Sequence, residues 1–439
     1  MTSGHVTETP QARSDIGPAP LALYLSRMRF LHLADVHLDT PFAGRSEALR
    51  NRLRTASRQA LGRAVDEALT MKVDAVLIAG DLFDGSRLSF ATERFLLEEL
   101  DRLGGAGIQV VYATGNHDPG RAAPGGRGPT WPDHVTVVGR REPRRVAVRR
   151  DGAIVGFVTA AGHESHRETL DLSKRFPRPP GELPEVGLLH TQVHMARSAD
   201  DHHAYAPSDL ETLRKSGFDY WALGHVHTRQ SLSTAPPIHY PGNVQGRTPR
   251  ERGPRGGLFV DLSDREDPRI EFRAFAPVRW ETIEVDQLDG ARTLDGLVRR
   301  VWQAWENARS DDPAAAADWI VRVMLRGPSP LWRELGDEDE RRIVADELAG
   351  ALGALDVTVE VAGLHPPVSI EEHRNREDVL GEALRLVAAV RANGGALPLG
   401  PDDLAGFESG RSDDLDAYVR SLLRGAEGEI VSRLLRTGD

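Results

Sequence analysis

The chain contains no cysteine. Disulfides and thiolate metal ligation are therefore excluded, and any bound metal must be held by nitrogen and oxygen. No run of apolar residues reaches the roughly 18 needed to cross a bilayer as a helix. No signal peptide and no internal repeat is evident. With the lack of disulfides, this predicts a cytoplasmic protein with no membrane attachment. Positive charge is in deficit, with 55 Lys and Arg against 66 Asp and Glu and a net charge of -11. Bulk charge thus argues against nucleic-acid binding. Carboxylates clustered at a metal site add to that deficit, however, and bound cations neutralise them, so local basic patches weigh more than the total. What remains is ample: 439 residues, 40% hydrophobic and 28% charged, suffice for two or three domains with real cores.

Residues 1–27 are rich in Pro, Ser, Thr, Gly and Ala, with little periodicity, and read as a disordered tail. Met28 directly precedes the first strand and is a candidate natural start. A strand is expected over 29–34, a helix over 47–71, a buried strand over 73–79, a helix over 90–103 and a buried strand over 108–113. This alternation is the pattern of a parallel βαβ sheet, and each strand runs into polar residues at its carboxyl end. Shorter strands follow over 135–161. A buried strand over 186–189 ends at His190. A short helix over 208–215 opens on a Ser208 cap, and a strand over 220–223 ends in Gly224-His225-Val226-His227. Two more strands are expected near 257–262 and 270–275, giving a second, mostly antiparallel set. After about residue 277 the pattern restarts as a small α/β domain, and from about 370 the chain reads as helical and charged.

The polar residues at the strand ends form a coherent set. Hydrolysing a phosphoester at neutral pH requires a strong nucleophile and a way to hold negative charge. Two divalent cations about 3.5–4 Å apart meet both needs. Such a pair takes about eight ligand positions of nitrogen and oxygen type, one carboxylate being shared. Asp35, His37, Asp81, Asn116, His190, His225 and His227 supply that set if Asp81 bridges. Each piece alone has an ordinary explanation: Asn, Asp and Gly favour turns, and a lone buried histidine is more often a satisfied core residue than a ligand. Five such pieces in order, each at a strand end, point to a dinuclear site.

The order Asp-x-His, Gly-Asp-x-x-Asp, Gly-Asn-His-Asp, a single His, then Gly-His-x-His resembles the calcineurin-like metallophosphoesterase superfamily. The stretches FLHLADVHLD (30–39), YWALGHVH (220–227) and YPGNVQGR (240–247) resemble the SbcD-type DNA-repair exonucleases, and within these the YhaO-like bacterial branch. The resemblance in motifs covers about residues 30–255; the remainder fits in layout only. It implies a four-layer αββα sandwich with a small α/β capping domain and a helical C-terminal tail. The expected division is a tail (1–27), a nuclease domain (28–277), a capping domain (278–369) and a partner-binding helical region (370–439). By the same resemblance, Asp35, His37 and His227 hold one metal, Asn116, His190 and His225 the other, and Asp81 bridges. Manganese is the metal implied, while iron or zinc also suits the donor set. A metal-bridging hydroxide is the implied nucleophile. His117 faces the scissile phosphate and assists the leaving oxygen as a general acid, with Asp118 orienting it through a hydrogen bond. Asp84 is a candidate substrate contact, because some relatives carry a substrate-contacting histidine there.

The function implied is cleavage of DNA in repair, as an exonuclease with possible endonuclease activity. The C-terminal helices have stripes at Leu415, Val419, Leu422 and Leu423 and at Ile430, Leu434 and Leu435, which read equally as packing on the chain's own domains or as docking a partner, the implied partner being an SbcC-type, SMC-like ATPase. A homodimer is a further family expectation. Arg247, with Arg250, Arg252 and Arg255, follows the motifs directly and is expected to contact phosphates. Arg140, Arg141, Arg144, Arg145, Arg149 and Arg150 read equally as a solvated face or a phosphate-binding patch. His194, His202 and His203 read as solvent-exposed, His32 as structural and Asp39 as support for the metal-binding loop. The same metal core would serve a phosphatase or phosphodiesterase acting on a small molecule or a phosphoprotein. A catalytically inert scaffold for an ATPase is the remaining reading, and intact residues at all seven ligand positions argue against it.

Overall fold

The structure, a computed structural model, describes residues 28–85, 88–120, 129–181, 183–193, 205–265, 267–309, 318–367, 369–392, 422–423 and 425–436. The expected tail over 1–27 and His194, His202, His203, Leu415 and Val419 lie outside the described residues. The chain divides into two compact units. The first comprises residues up to Thr40, Leu61–Val244 and Gly256–Ala274; the second comprises Pro41–Ala60, Gln245–Arg255 and Phe275–Asp439.

In the first unit, β1 (Arg29–Leu33), β2 (Ala75–Ala79) and β3 (Gln109–Ala113) pair in parallel in that order. Their crossovers are helices α1 (Glu47–Met71) and α2 (Phe90–Gly105). β4 (Val135–Val138) extends the sheet beyond β3, while β11 (Gly256–Asp261) and β12 (Arg269–Ala274) extend it beyond β1 as an antiparallel pair. A second six-stranded sheet holds β5 (Arg144–Arg150), β6 (Ala153–Ala161), β7 (Glu185–His190), β8 (Tyr220–Gly224), β9 (Gln230–Thr234) and β10 (Pro237–Tyr240) in the order β5-β6-β7-β8-β10-β9. Its middle pairings, β6-β7, β7-β8 and β8-β10, are parallel. The expected mostly antiparallel set is thus a mixed sheet, and β11 and β12 belong to the first sheet. A parallel neighbour requires a crossover, and the segments after β6 and β7 supply them. The helix in the second crossover, α3 (Leu210–Lys215), is capped by Asp209, whose carboxylate accepts from Thr212 N at 2.9 Å. Ser208, the expected cap, is instead buried and accepts a hydrogen bond from the Thr191 hydroxyl at 2.7 Å.

Strand alternation places the two sheets face to face. Phe30, Ala34, Leu77 and Val111 from one sheet share a buried cluster with Val158, Leu188, Tyr220 and Ala222 from the other. The intervening residues face outward. Leu33, Val76, Ile78 and Val110 meet Leu61, Ala64 and Val65 of α1 and Leu96, Leu100 and Leu103 of α2. On the far side, Leu189, Trp221 and Leu223 meet Leu172, Leu213 and Phe218. The result is helix, sheet, sheet, helix, with the central strands β2, β7 and β8 buried on both faces.

The second unit has its own core. β13 (Val278–Val285), β14 (Asp318–Pro328) and β15 (Asp356–His365) form a parallel three-stranded sheet. Ile283, Val285, Val321, Val323 and Val359 pack on one face with Val301 and Trp305 of α4 (Leu294–Arg309) and Leu348 of α5 (Glu338–Leu352). Val278, Trp280 and Ile320 pack with Phe42, Leu49, Leu53 and Ala56. Asp337 caps α5 by accepting from Asp339 N and Glu340 N. Helices α6 (Ile370–Arg374), α7 (Val379–Ala392) and α8 (Ala426–Arg436) follow, with Leu380, Leu384 and Val431 buried among them.

Candidate metal centre

In the first unit the carboxyl ends of β1, β2, β3, β7 and β8 converge. They deliver Asp35 and His37, Asp81 and Asp84, Asn116, His117 and Asp118, His190, and His225 and His227 respectively. The chain turns sharply as it leaves these strands. Asp35, His37, Asp81 and His225 adopt φ values of 51°, 49°, 50° and 101°. A left-handed backbone at a non-glycine residue costs on the order of 1 kcal/mol or more and persists where neighbours over-determine it. Here Asp35 N donates to Gly80 O at 3.1 Å, His37 N to Asp81 O at 3.0 Å and His225 N to the Asp35 carboxylate at 3.1 Å. Two motif glycines are needed for close approach. A Cβ at Gly115 would lie 2.2 Å from Asp81 Oδ1, and one at Gly224 would lie 1.7 Å from the Ala79 carbonyl oxygen.

The seven expected ligands gather into two groups, and all are buried, the most exposed, Asn116, at 8%. In one, His37 Nε2 and His227 Nε2 are 3.2 Å apart, with Asp35 Oδ1 3.9 Å from His227 Nε2. In the other, Asn116 Oδ1 lies 2.9 Å from His190 Nε2 and 3.1 Å from His225 Nδ1, and these two nitrogens are 3.2 Å apart. Asp81 Oδ2 lies 3.7 Å from His37 Nε2 and 3.5 Å from His190 Nε2, facing both groups.

Hydrogen bonds fix which nitrogens are bare. His190 Nδ1 donates to the Ala79 carbonyl at 2.9 Å, so a neutral ring leaves a lone pair on Nε2. His37 Nδ1 donates to Asp84 Oδ1 at 2.7 Å, leaving Nε2 bare likewise. His190 Nε2 and Asn116 Oδ1 are then two acceptors 2.9 Å apart, an arrangement that repels unless a cation lies between them. Ligand nitrogens bound at about 2.0–2.1 Å to one tetrahedral ion sit about 3.4 Å from each other, close to the separations seen here. The donor set therefore fits divalent metal. Asp35, His37 and His227, separately Asp35, Asp81 and His190, and also His37, Asp81 and His117, are mutually close enough to share an ion.

The electrostatics agree. Burial works against ionisation of Asp81, but His190, His37 and His117 outweigh it and hold the carboxyl well below the usual range. Burial also pushes the His190 imidazolium down, favouring the neutral ring that a ligand requires.

Around this set the structure rearranges two expectations. Asp118 does not orient the His117 ring. Its carboxylate accepts from the N–H groups of Gly115 (2.7 Å), Leu82 (2.5 Å), Asp81 (3.3 Å) and Phe83 (3.3 Å), and so ties the β2 and β3 turns together. Burial, then the adjacent Asp81 charge, pushes the Asp118 carboxyl up to about 7. The carboxylate that meets His117 is that of Asp84, at 2.8 Å from Nδ1, and the same oxygen accepts from His37. Thr40 Oγ1 donates to the other Asp84 oxygen at 2.6 Å. His117 is 41% exposed and its N–H donates to Asp81 Oδ1 at 2.9 Å. Sequence reasoning overlooked His163 and His166. His163 Nε2 donates to the His190 carbonyl at 2.8 Å, and His166 Nδ1 donates to the Asn116 carbonyl at 2.7 Å. Neither sits in a recognisable motif; the only signal is a His-x-x-His spacing just after a buried strand.

The remaining candidates are accounted for. Asp39 accepts from Ser89 and Thr92 at the start of α2, in keeping with a supporting role. His32 is fully buried, bonded to the Tyr220 hydroxyl and the Leu223 carbonyl, each at 3.1 Å. Arg141, Arg145 and Arg150 pair with the buried acids Glu168, Glu185 and Asp74. Arg149 donates to the Gly152 carbonyl. Three arginines of that cluster thus brace buried acids, while Arg140, Arg144, Arg145 and Arg149 are exposed. Arg247 belongs to the second unit, where its N–H donates to the buried Glu251 carboxylate.

A sandwich whose strand ends gather buried His, Asp and Asn donors into two groups about one carboxylate defines a metal-dependent phosphoesterase. Residues 28–229 match the calcineurin-like phosphoesterase family, and the chain belongs to it. It is 31% identical over 314 residues to the uncharacterized metallophosphoesterase YhaO of Bacillus subtilis, covering 70% of this chain and 74% of that one. It is 30% identical over 354 residues to the DNA double-strand break repair protein Mre11 of Aeropyrum pernix, covering 76% and 80%. It is 27% identical over 253 residues to a component of the SbcCD nuclease of Escherichia coli, covering 49% and 60%. The protein is a phosphoester hydrolase with a metal centre built from His and Asp groups.

Proposed function

We propose that this protein is a DNA nuclease, a phosphodiesterase acting on DNA ends or single strands during repair. The observation that carries the reaction class is the pair of donor groups facing Asp81 Oδ2 from either side. The DNA substrate is favoured by the break-repair and nuclease relatives. On this reading Asp35, His37 and His227 would hold one cation and Asn116, His190 and His225 the other, with Asp81 shared between them. Two divalent cations, manganese on this proposal, supply Lewis acidity and an acidified water when bound.

The chain's own groups do the rest. Asp84 accepts from His37 and so keeps the lone pair of His37 Nε2 aimed inward. The same oxygen receives His117 Nδ1, which directs Nε2 of this half-exposed ring outward, where it donates a proton to the leaving 3′ oxygen. Asp118 keeps the two turns in register through its backbone contacts. Arg247 contributes phosphate contact, and the C-terminal helices dock a coiled-coil ATPase of the SbcC type.

The test incubates the full chain with Mn2+ and end-labelled single- and double-stranded DNA, beside bis-p-nitrophenyl phosphate and p-nitrophenyl phosphate. Cleavage of DNA and of the diester is expected. Hydrolysis of the monoester alone would make the protein a phosphatase, and no hydrolysis of any of them with both cations bound would make it a scaffold.

A further inference from the structure

We infer that His163 is a positioning residue for the group formed by Asn116, His190 and His225, holding the main chain that carries two of these ligands. The inference rests on the two-cation reading above.

His163 follows the end of β6 and is completely buried. Its main chain frames the turn that presents Asn116. His163 N donates to the Thr114 carbonyl at 3.1 Å, and the His163 carbonyl accepts from Gly120 N at 2.8 Å and from Thr114 Oγ1 at 2.9 Å. Its ring reaches the other side of the group. Nε2 donates to the His190 carbonyl at 2.8 Å, and the two rings meet edge to face at 5.2 Å. One residue therefore ties the β3 turn to the end of β7. Three residues on, His166 adds a second tie, from Nδ1 to the Asn116 carbonyl.

The second observation is an orphan. A carbonyl only accepts, so His163 Nε2 carries the proton and Nδ1 of the neutral ring is a bare acceptor. Nδ1 is buried and has no hydrogen-bond partner among the described residues. A buried acceptor without a donor weakens the fold, and an apolar side chain of similar shape would avoid that penalty. Packing alone thus gives no reason for histidine here. What histidine adds over leucine is one N–H, and that N–H is spent on the main chain of a ligand. Groups that orient ligands commonly affect metal affinity by roughly 10–100-fold when removed.

The test compares the wild-type full chain with His163→Leu and His163→Gln. Each is freed of metal, melted, then titrated with Mn2+ by calorimetry, with the spin-coupled dinuclear signal followed by electron paramagnetic resonance. His163→Leu removes the orphaned Nδ1 but also the donor to the His190 carbonyl, two effects of opposite sign, so it is expected to melt near the wild-type temperature and bind one Mn2+ with wild-type affinity. Its other Mn2+ should bind roughly 10–100-fold more weakly. His163→Gln, which keeps an N–H within reach, should recover part of that loss. Two Mn2+ bound by His163→Leu with wild-type affinities would overturn the inference. So would a lower melting temperature with loss of both ions in both variants, since that is the signature of a purely structural role. Wild-type protein binding fewer than two Mn2+ would instead overturn the two-cation reading itself, whatever the variants do.

Discussion

Asp84 Oδ1 receives two imidazoles, His37 at 2.7 Å and His117 at 2.8 Å, although only His37 is among the seven ligand candidates. The two histidines should therefore separate on mutation. His117→Ala should keep both cations and lose roughly 10²–10⁴-fold in cleavage rate. Asp84→Ala should lose rate and also bind metal roughly 10–100-fold more weakly, because His37 is no longer held. Metal content by mass spectrometry beside single-turnover rates checks both, and a His117→Ala enzyme that cleaves DNA at the wild-type rate would remove His117 from the mechanism. All seven ligand candidates were legible in the sequence, because each lies at a strand end, six of them within short motifs and His190 alone at the end of a buried run. The partner of His117 was not. Asp118 is adjacent in the chain, but its carboxylate turns back to four backbone N–H groups, while Asp84 arrives from another strand. His163 was illegible for the same reason: its value lies in contacts to residues 114 and 190, distant in sequence.

Among the elements, the buried parallel strands could be read directly from their apolar runs, but the order of the second sheet could not. Strand neighbours there are set by crossovers whose lengths say little about which edge a strand joins, so β11 and β12 were misplaced. That Arg145 and Arg150 of β5 pair with Glu185 and Asp74 could not be read from the sequence, because those acids are distant in the chain. The meeting of β2 with β8 is tighter than either stretch of sequence reveals. A Cβ at Gly224 would fall 1.7 Å from the Ala79 carbonyl oxygen, inside any tolerable contact. Gly224→Ala must push backbone against backbone, and overpacking of this kind costs about 1–3 kcal/mol. The strand ends on either side carry Asp81 and His225, so the displacement falls on both donor groups. The expected outcome is a lower melting temperature together with loss of metal, read by calorimetry on the same sample. A variant with wild-type melting and two bound ions would show that the strands can separate freely.

On the scale of the whole molecule, acid should be destabilising for a reason independent of metal. His32 lies between the two sheets, and burial, reinforced by His239, lowers its pKa to about 3 from 6.5. Above pH 6.5 both folded and unfolded chains hold it neutral, and it contributes no pH dependence. As pH falls from 6.5 towards 3 the unfolded chain takes up a proton that the folded chain refuses. Stability is then lost by about 1.4 kcal/mol per pH unit for this one group. Urea midpoints of the metal-free protein between pH 7 and 4 should fall accordingly, with a shallower slope in His32→Gln; equal slopes would place the acid sensitivity elsewhere. The order of synthesis adds a different constraint. His225 N bonds the Asp35 carboxylate across 190 residues, and β1 acquires its second neighbour only when β11, at Gly256–Asp261, has been made. Contacts this distant close late in folding. The two donor groups are therefore completed only once His227 has been made, and β1 is enclosed on both edges only after β11, so the donors of the N-terminal strands wait on the middle of the chain for their partners.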